Sequence, residues 1–175
     1  MSNFKICFDF TIGAEGGYQD NSQDPGNWTG GAVGVGELLG TKYGISAAQY
    51  PNLDIKALTE QQAESIYISD YYAPIHGDEL PLPLAMVTFD AAVNSGQFRA
   101  IQWLQRAVGA YQDGIIGRST LLAAHTCVMR EAVQIACDAR LQFLEGLRLW
   151  STFGQGWANR VEALQTAALS HCVNL

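Results

Sequence analysis

Glu15 is the residue in this chain whose setting suits proton transfer. It closes a short, mainly apolar run, Phe8 to Ala14, interrupted by Asp9, and is followed at once by Gly16 and Gly17. Two glycines allow the backbone to turn sharply behind the acid, because neither carries a Cβ that forbids positive φ. A carboxyl group backed by apolar residues has its charged form disfavoured, so it can hold a proton near neutral pH and act as a general acid. The same five residues, Ala14-Glu15-Gly16-Gly17-Tyr18, also read as an ordinary glutamate in the last turn of a helix before a glycine cap. The rest of the chain must decide between the two.

Hydrophobic residues make up 48% of the 175 positions, ample for one compact domain with a real core. The net charge of −7, with only 15% charged residues, argues against general binding to nucleic acid or anionic membranes, which needs clustered Lys and Arg. Cys7, Cys127, Cys137 and Cys172 show no CxxC spacing and read as buried free thiols. The three histidines, His76, His125 and His171, are far apart, so no metal site and no cofactor is expected. The N-terminal apolar run is broken by Lys5 and Asp9, unlike a secretory signal. No stretch reaches the roughly 18 apolar residues of a membrane span. Synthesis in a bacterial host's cytoplasm, without a signal peptide, is the expectation.

A helix over 3–14 would deliver Glu15. Residues 16–45, rich in Gly, Asn, Asp and Thr, predict a loop or small β-hairpin lobe. Within them Gly30 to Gly36 reads as a flexible insertion, since no Gly-Lys-Ser/Thr follows to make a phosphate loop. A short helix is expected over 46–50. Thr59 and Gln62 form a capping-box pattern for a helix over 60–72, ended by Pro74. A buried helix over 84–93 closes at Asn94-Ser95-Gly96. Further helices are expected over 98–108, 119–127 and 131–150. Gly154 and Gly156 are expected to break the last of these before a terminal helix over 157–170. That terminal segment has Arg160 as its one fixed cation, which favours a packed helix over a membrane-active one.

Several of these segments match one family in order. Glu15-Gly16-Gly17-Tyr18, Asp24-Pro25-Gly26 and Thr41-Lys42-Tyr43-Gly44-Ile45 resemble the signature of glycoside hydrolase family 108. Those are N-acetylmuramidases of the lysozyme superfamily, common as phage and prophage endolysins. Leu84 to Gly96 and Leu104 to Gly109 extend the resemblance. Asp113-Gly114 with Thr120, Arg140 to Phe143, and Phe153 to Arg160 resemble the associated peptidoglycan-binding helical module. The likeness spans about 4–170.

The resemblance implies a mainly α (α+β), lysozyme-like domain, with a catalytic lobe over about 1–93 and a helical peptidoglycan-binding lobe over about 94–175. It implies hydrolysis of the β-1,4 bond between N-acetylmuramic acid and N-acetylglucosamine in the cell wall; a monomer is expected. Glu15 would be the acid, Asp24 the second carboxylate, and Thr41 a further catalytic group; Asp20 is an alternative to Asp24. Tyr18, Tyr43 and Asn94 would bind sugar; Tyr18 and Tyr43 also read as packing residues, Asn94 as a helix cap. Asp24 reads equally as a turn former before Pro25. In this chain Trp28 to Gly40 intervene before the Thr-x-x-Gly-Ile segment, so Thr29 keeps the family's spacing and Thr41 its context. Thr41 is preferred. A lytic transglycosylase, a non-catalytic wall-binding protein and a secreted effector stay open as alternatives.

Overall fold

The computed structural model describes residues 2–13 and 17–172. The chain is mainly α, with seven α-helices and one two-stranded sheet among the described residues, as the lysozyme-like expectation required. It divides into two compact units, Phe8–Ile68 and Met1–Cys7 with Ser69–Leu175. The division falls within helix α1, Asn3–Ile12, and again at Ile68.

In the smaller unit, α1 stops at Ile12, two residues short of the expected end, because Gly13 adopts φ 70° and caps it with an N–H donated to Asp9 O at 3.0 Å. This is the left-handed cap that glycine makes at low cost. Strands β1, Thr41–Lys42, and β2, Ile45–Ser46, pair antiparallel with Thr41 opposite Ser46. Tyr43 and Gly44 join them, both with positive φ, at 51° and 73°. That is the requirement of a two-residue type I′ hairpin turn, whose twist suits the flanking strands. The helix expected over 46–50 is a single hydrogen-bonded turn after β2, with Tyr50 N–H donating to Ser46 O at 3.0 Å. Helix α2, Glu60–Tyr67, begins with the full capping box: Gln62 N–H donates to Thr59 Oγ1, and Thr59 N–H to Gln62 Oε1. A π turn, Ile68–Tyr72, follows it directly.

Tyr67 is the pillar of this unit. It is 2% exposed, its ring meets Phe8 of α1 edge-on at 5.5 Å, and its hydroxyl donates to Tyr43 O at 3.1 Å. A Cβ on Gly44 would lie 2.5 Å from that hydroxyl, so glycine is needed there for space as well as for φ.

Residues 28–40 are built rather than loose, contrary to the flexible insertion the sequence suggests. Trp28 bridges Leu38, and Thr29 N–H donates to Glu37 O at 2.9 Å. Glu37 N–H returns to Thr29 Oγ1 at 2.9 Å, and Gly30 N–H donates to Val35 O at 3.1 Å. The glycines permit this closeness: a Cβ on Gly36 would sit 2.2 Å from Thr29 Oγ1.

The larger unit is helical. Helix α3, Leu82–Ser95, is buried from Pro83 to Ala92 and packs on α4, Gln97–Ala107, α6, Met129–Glu145, and α7, Trp150–Ser170. The sequence assigns residues up to 93 to a catalytic lobe; α3 lies wholly within this larger unit. Phe4, Tyr72 and Phe89 form a mutual edge-to-face cluster at 5.2 to 6.1 Å. Between α4 and α5, Arg118–Thr126, the buried Gln105 holds the Asp113-Gly114 turn. It donates to Asp113 Oδ1 at 2.7 Å and accepts from Gly114 N–H at 2.9 Å.

Helix α6 ends at Glu145, and α7 runs unbroken through Gly154 and Gly156. Gly154 is buried against its own helix's Trp150, where a Cβ would lie 2.5 Å from the indole. Room for the indole one turn earlier in the same helix therefore outweighs the poor helix propensity of glycine. Cys7 and Cys137 are buried and their thiols pushed up to about 12 by that burial; Cys127 is only half-buried.

Two outcomes follow for stability. A Cβ on Gly156 would meet nothing within 4 Å, so Gly156→Ala should stabilise the fold by about 0.5–1 kcal/mol, whereas Gly154→Ala should destabilise it. Urea unfolding midpoints check both signs. Hydrogen bonds from Gln105, then Ile115 N–H, hold Asp113 below its ordinary carboxylate value. A depressed folded pKa favours the charged form, so this contribution is present above about pH 4 and is lost as pH falls through the folded value. Asp113→Asn should be less stable than wild type at pH 7, and the gap should close as pH falls through and below the ordinary carboxylate range in acid titrations of the unfolding free energy.

Candidate active site

Of the expected site residues, Tyr18, Asp24, Thr41 and Tyr43 lie in the smaller unit, and Asn94 in the larger. Glu15, with Ala14 and Gly16, lies outside the described residues. The helix that precedes it in sequence ends at Ile12.

Asp24 caps a 3₁₀ turn, Pro25–Asn27, its Oδ1 accepting from Gly26 N–H at 2.9 Å. Its turn-forming role is therefore real. Its Oδ2 accepts from Gln19 Nε2 at 3.4 Å, a long contact that leaves this oxygen with most of its acceptor capacity.

Asn27 joins these residues, and nothing in the sequence marked it. It is wholly buried. Its Nδ2 donates to Asn21 O at 3.0 Å and to Gln19 Oε1 at 2.9 Å. Its Oδ1 accepts from Gln19 Nε2 at 3.0 Å and from Thr41 Oγ1 at 2.7 Å. Its backbone carbonyl takes the N–H groups of Leu39 and Gly40, both at 3.0 Å. Asn21 O can only accept, which fixes which end of the amide is nitrogen. The side chain then uses both donors and accepts twice, so the amide is fully satisfied and its orientation is determined.

Thr41 consequently has a committed proton. Its hydroxyl donates to Asn27 and keeps lone pairs that can accept from a third group. Its backbone exchanges both hydrogen bonds with Gln19, at 2.8 and 2.9 Å. Thr29, the other spacing candidate, accepts from Glu37 N–H inside the closed loop.

Tyr18 lies over Gly40, where a Cβ would come within 2.7 Å of its ring. Its phenol is raised above the ordinary tyrosine value, by desolvation first and then by Asp20, which accepts its hydrogen bond, and by Asp54. Tyr18 therefore remains a proton donor at neutral pH, and Asp20 is engaged by it. The ammonium of Lys56 sits 5.5 Å from the Tyr18 ring, and that of Lys42 5.5 Å from the Tyr43 ring. Lys42 also donates to Lys56 O at 3.0 Å, so these neighbouring lysines bring two cations and two aromatic faces to the hairpin.

Asn94 lies inside α3, and Gly96 takes the cap position. Asn94 Nδ2 donates to Asp90 O at 2.8 Å and to Asp90 Oδ2 at 3.1 Å. Asp90 is fully buried and paired with Arg160 at 2.7 Å and Arg140 at 3.3 Å. Among the described residues, no group of three His, Cys, Asp or Glu side chains is placed to hold a metal, and no helix is long and apolar enough to cross a membrane.

Residues 8–96 match the glycosyl hydrolase 108 family, which takes in the smaller unit and α3. The solved structure of Brucella abortus SagA aligns with 96% of this chain and 94% of its own, at 35% identity and a TM-score of 0.77. Comparison with curated proteins gives no match. The SagA likeness carries through the helices after residue 96, beyond the family match. The chain belongs to glycosyl hydrolase family 108 and is a glycoside hydrolase of the peptidoglycan-cleaving kind.

Proposed function

We propose that this chain is an N-acetylmuramidase that cleaves the β-1,4 bond between N-acetylmuramic acid and N-acetylglucosamine, and that this cleavage lyses bacterial cells. The observation that supports the reading is the Asn27 network, in which Gln19 donates to both Asp24 and Asn27 and Thr41 donates to the same Asn27, in a family of glycoside hydrolases.

Glu15 protonates the glycosidic oxygen as the leaving group departs. Positive charge then develops at the anomeric carbon, and a carboxylate on the opposite face either attacks it or activates water. Asp24 is that carboxylate, acting through Oδ2, while Gly26 N–H holds Oδ1. Thr41 is suited to position the water: its proton is given to Asn27, so it receives a hydrogen bond from the water and turns the water's own lone pair toward the sugar. Tyr18 and Tyr43 offer their faces to sugar rings, with Lys42 and Lys56 beside them.

Glu15→Gln keeps the shape and removes the proton, and should lower sacculus hydrolysis by at least about 100-fold. Turbidity clearing measures this, and mass spectrometry of wild-type products should find reducing-end muramic acid. Wild-type clearing by the variant would exclude Glu15, and 1,6-anhydro ends would make the enzyme a lytic transglycosylase. At the hairpin, Asp24→Asn should lower turnover substantially. Asn27→Ala should also lower stability by about 1–3 kcal/mol, since buried partners lose their bonds. Thr41→Val should lower turnover with far less loss of stability; unchanged turnover there would remove Thr41 from the mechanism.

A further inference from the structure

Gln19 is an exposed side chain with both ends of its amide committed. Its Oε1 accepts from Asn27 Nδ2 at 2.9 Å and from Asn21 N–H at 3.2 Å. A backbone N–H can only donate, so this end of the amide is the oxygen and the other the nitrogen. Nε2 then has two hydrogens to place. One goes to Asn27 Oδ1 at 3.0 Å and the other to Asp24 Oδ2 at 3.4 Å.

The two halves of this arrangement answer different needs. Asn27 is wholly buried, and its bonds to Gln19 satisfy groups that water does not reach. Asp24 is only half-buried, and its contact with Gln19 is exposed, where water can supply the donor instead. A hydrogen bond that water can replace adds little to stability. Ordering a long polar side chain costs conformational entropy. Stability alone therefore does not account for the contact with Asp24.

Orientation does account for it. Asp24 Oδ1 accepts from Gly26 N–H at 2.9 Å, within its own turn. One hydrogen bond to one oxygen leaves the carboxylate plane free to swing about it. A donor that reaches Oδ2 from outside the turn removes that freedom. Gln19 comes from outside: its backbone exchanges both hydrogen bonds with Thr41, at 2.8 and 2.9 Å, which fixes it to β1. The same residue touches the carboxylate with its side chain and pairs with the threonine through its main chain. Thr41 in turn donates to Asn27 Oδ1, the oxygen that also accepts from Gln19 Nε2. A contact as long as 3.4 Å orients Oδ2 while leaving it lone pairs for water or sugar.

We propose that Gln19 is the positioning residue for Asp24, fixing the plane of its carboxylate relative to the Thr41 hydroxyl so that Oδ2 meets the reacting water or anomeric carbon along one direction. The proposal rests on the reading of Asp24 as the second carboxylate of the muramidase reaction, and adds which side chain aims it. Gln19 acts only through Asp24 and exchanges no proton with substrate.

The test compares Gln19→Glu and Gln19→Met, each alone and combined with Asp24→Asn, in the full-length protein. Hydrolysis of soluble glycan fragments gives kcat and KM, and melting temperatures report the fold. Gln19→Glu keeps an oxygen for Asn27 and Asn21 and removes the two Nε2 donations; Gln19→Met removes all four bonds without adding charge. Both should lower kcat at least about tenfold, as misplacing a reacting group does. KM should change less than about twofold, because the interaction acts in the chemical step. Agreement between the charged and the uncharged replacement assigns the loss to the missing donor. With Asp24→Asn in place there is no carboxylate left to aim, so neither replacement should lower kcat further, while the effect on melting temperature should persist. Equal fold-losses of kcat in both backgrounds, or a rise in KM as the sole effect, would overturn the proposal. An impaired Asp24→Asn protein beside an unimpaired Gln19→Glu protein would overturn the positioning role and leave Asp24 in place. Wild-type turnover by Asp24→Asn would remove Asp24 from the mechanism and this role with it, and the products of the wild-type digest judge the muramidase reading separately.

Discussion

A buried amide with every hydrogen bond made is the constraint on which the hairpin depends. Asn27 lies where a short polar side chain would be costly if any of its groups were unpaired. Its partners come from three directions: Gln19 and Asn21 before the 3₁₀ turn, Thr41 on β1, and the Leu39 and Gly40 amides at the end of the inserted loop. No one of these segments can move without leaving a donor or acceptor unpaired. Hydrogen bonding of this kind contributes modestly per bond, but the penalty for breaking it is larger, so the arrangement gives position more than stability. Tyr67 adds the second restraint by linking the hairpin turn to Phe8 on α1. The helix that precedes Glu15 and the strand that bears Thr41 are thereby tied to a single side chain.

The larger unit follows a different rule. Asp90 is buried in the middle of an otherwise apolar helix, and two arginines from α6 and α7 reach it. A buried ion pair rarely adds much net stability, because desolvation offsets the Coulomb attraction. It does penalise any packing that leaves the carboxylate alone, by about 3–5 kcal/mol. Three helices are therefore held in register around one carboxylate.

How much of this was legible in the sequence depends on the range of the signal. Local signals were reliable. The Thr59–Gln62 capping box and the Gly96 cap needed only neighbours three or four residues away. Glycine was harder to interpret, because its meaning lies in what it touches. Gly13 ends α1, although Gly16 and Gly17 drew attention, and Gly154 makes room for Trp150 inside a helix it was expected to break. Of the residues singled out by the family pattern, Asp24 caps the 3₁₀ turn, Thr41 lies on β1 and Tyr43 in the turn after it, all in the smaller unit. Asn27 was not, because an asparagine just after a turn has the same local appearance whether it is exposed or buried. Its role comes from residues brought in by β-bridging. Asp90, Arg140 and Arg160 lay within segments that carried the family likeness, yet only folding brings positions 50 and 70 residues apart to one carboxylate.

The insertion shows how a loop can lengthen without disturbing the strand that follows it. Trp28 to Gly40 could have displaced the threonine that follows the Asp-Pro-Gly turn. Instead the added residues pair with one another, through Trp28 with Leu38 and Thr29 with Glu37. The loop leaves and returns at Asn27: Trp28 follows it in sequence, and the Leu39 and Gly40 amides come back to its carbonyl. Chain enters and exits at nearly the same point, so extra length costs little beyond loop closure, which grows only slowly with length. Thr41 then resumes at the end of a closed excursion, in contact with the asparagine that anchors Asp24's neighbour Gln19. Spacing along the chain is a poor guide to position in such a case. Local context, here Thr41 before the Tyr43-Gly44 turn, is the better one, because the turn and its Tyr67 contact fix where the strand must lie.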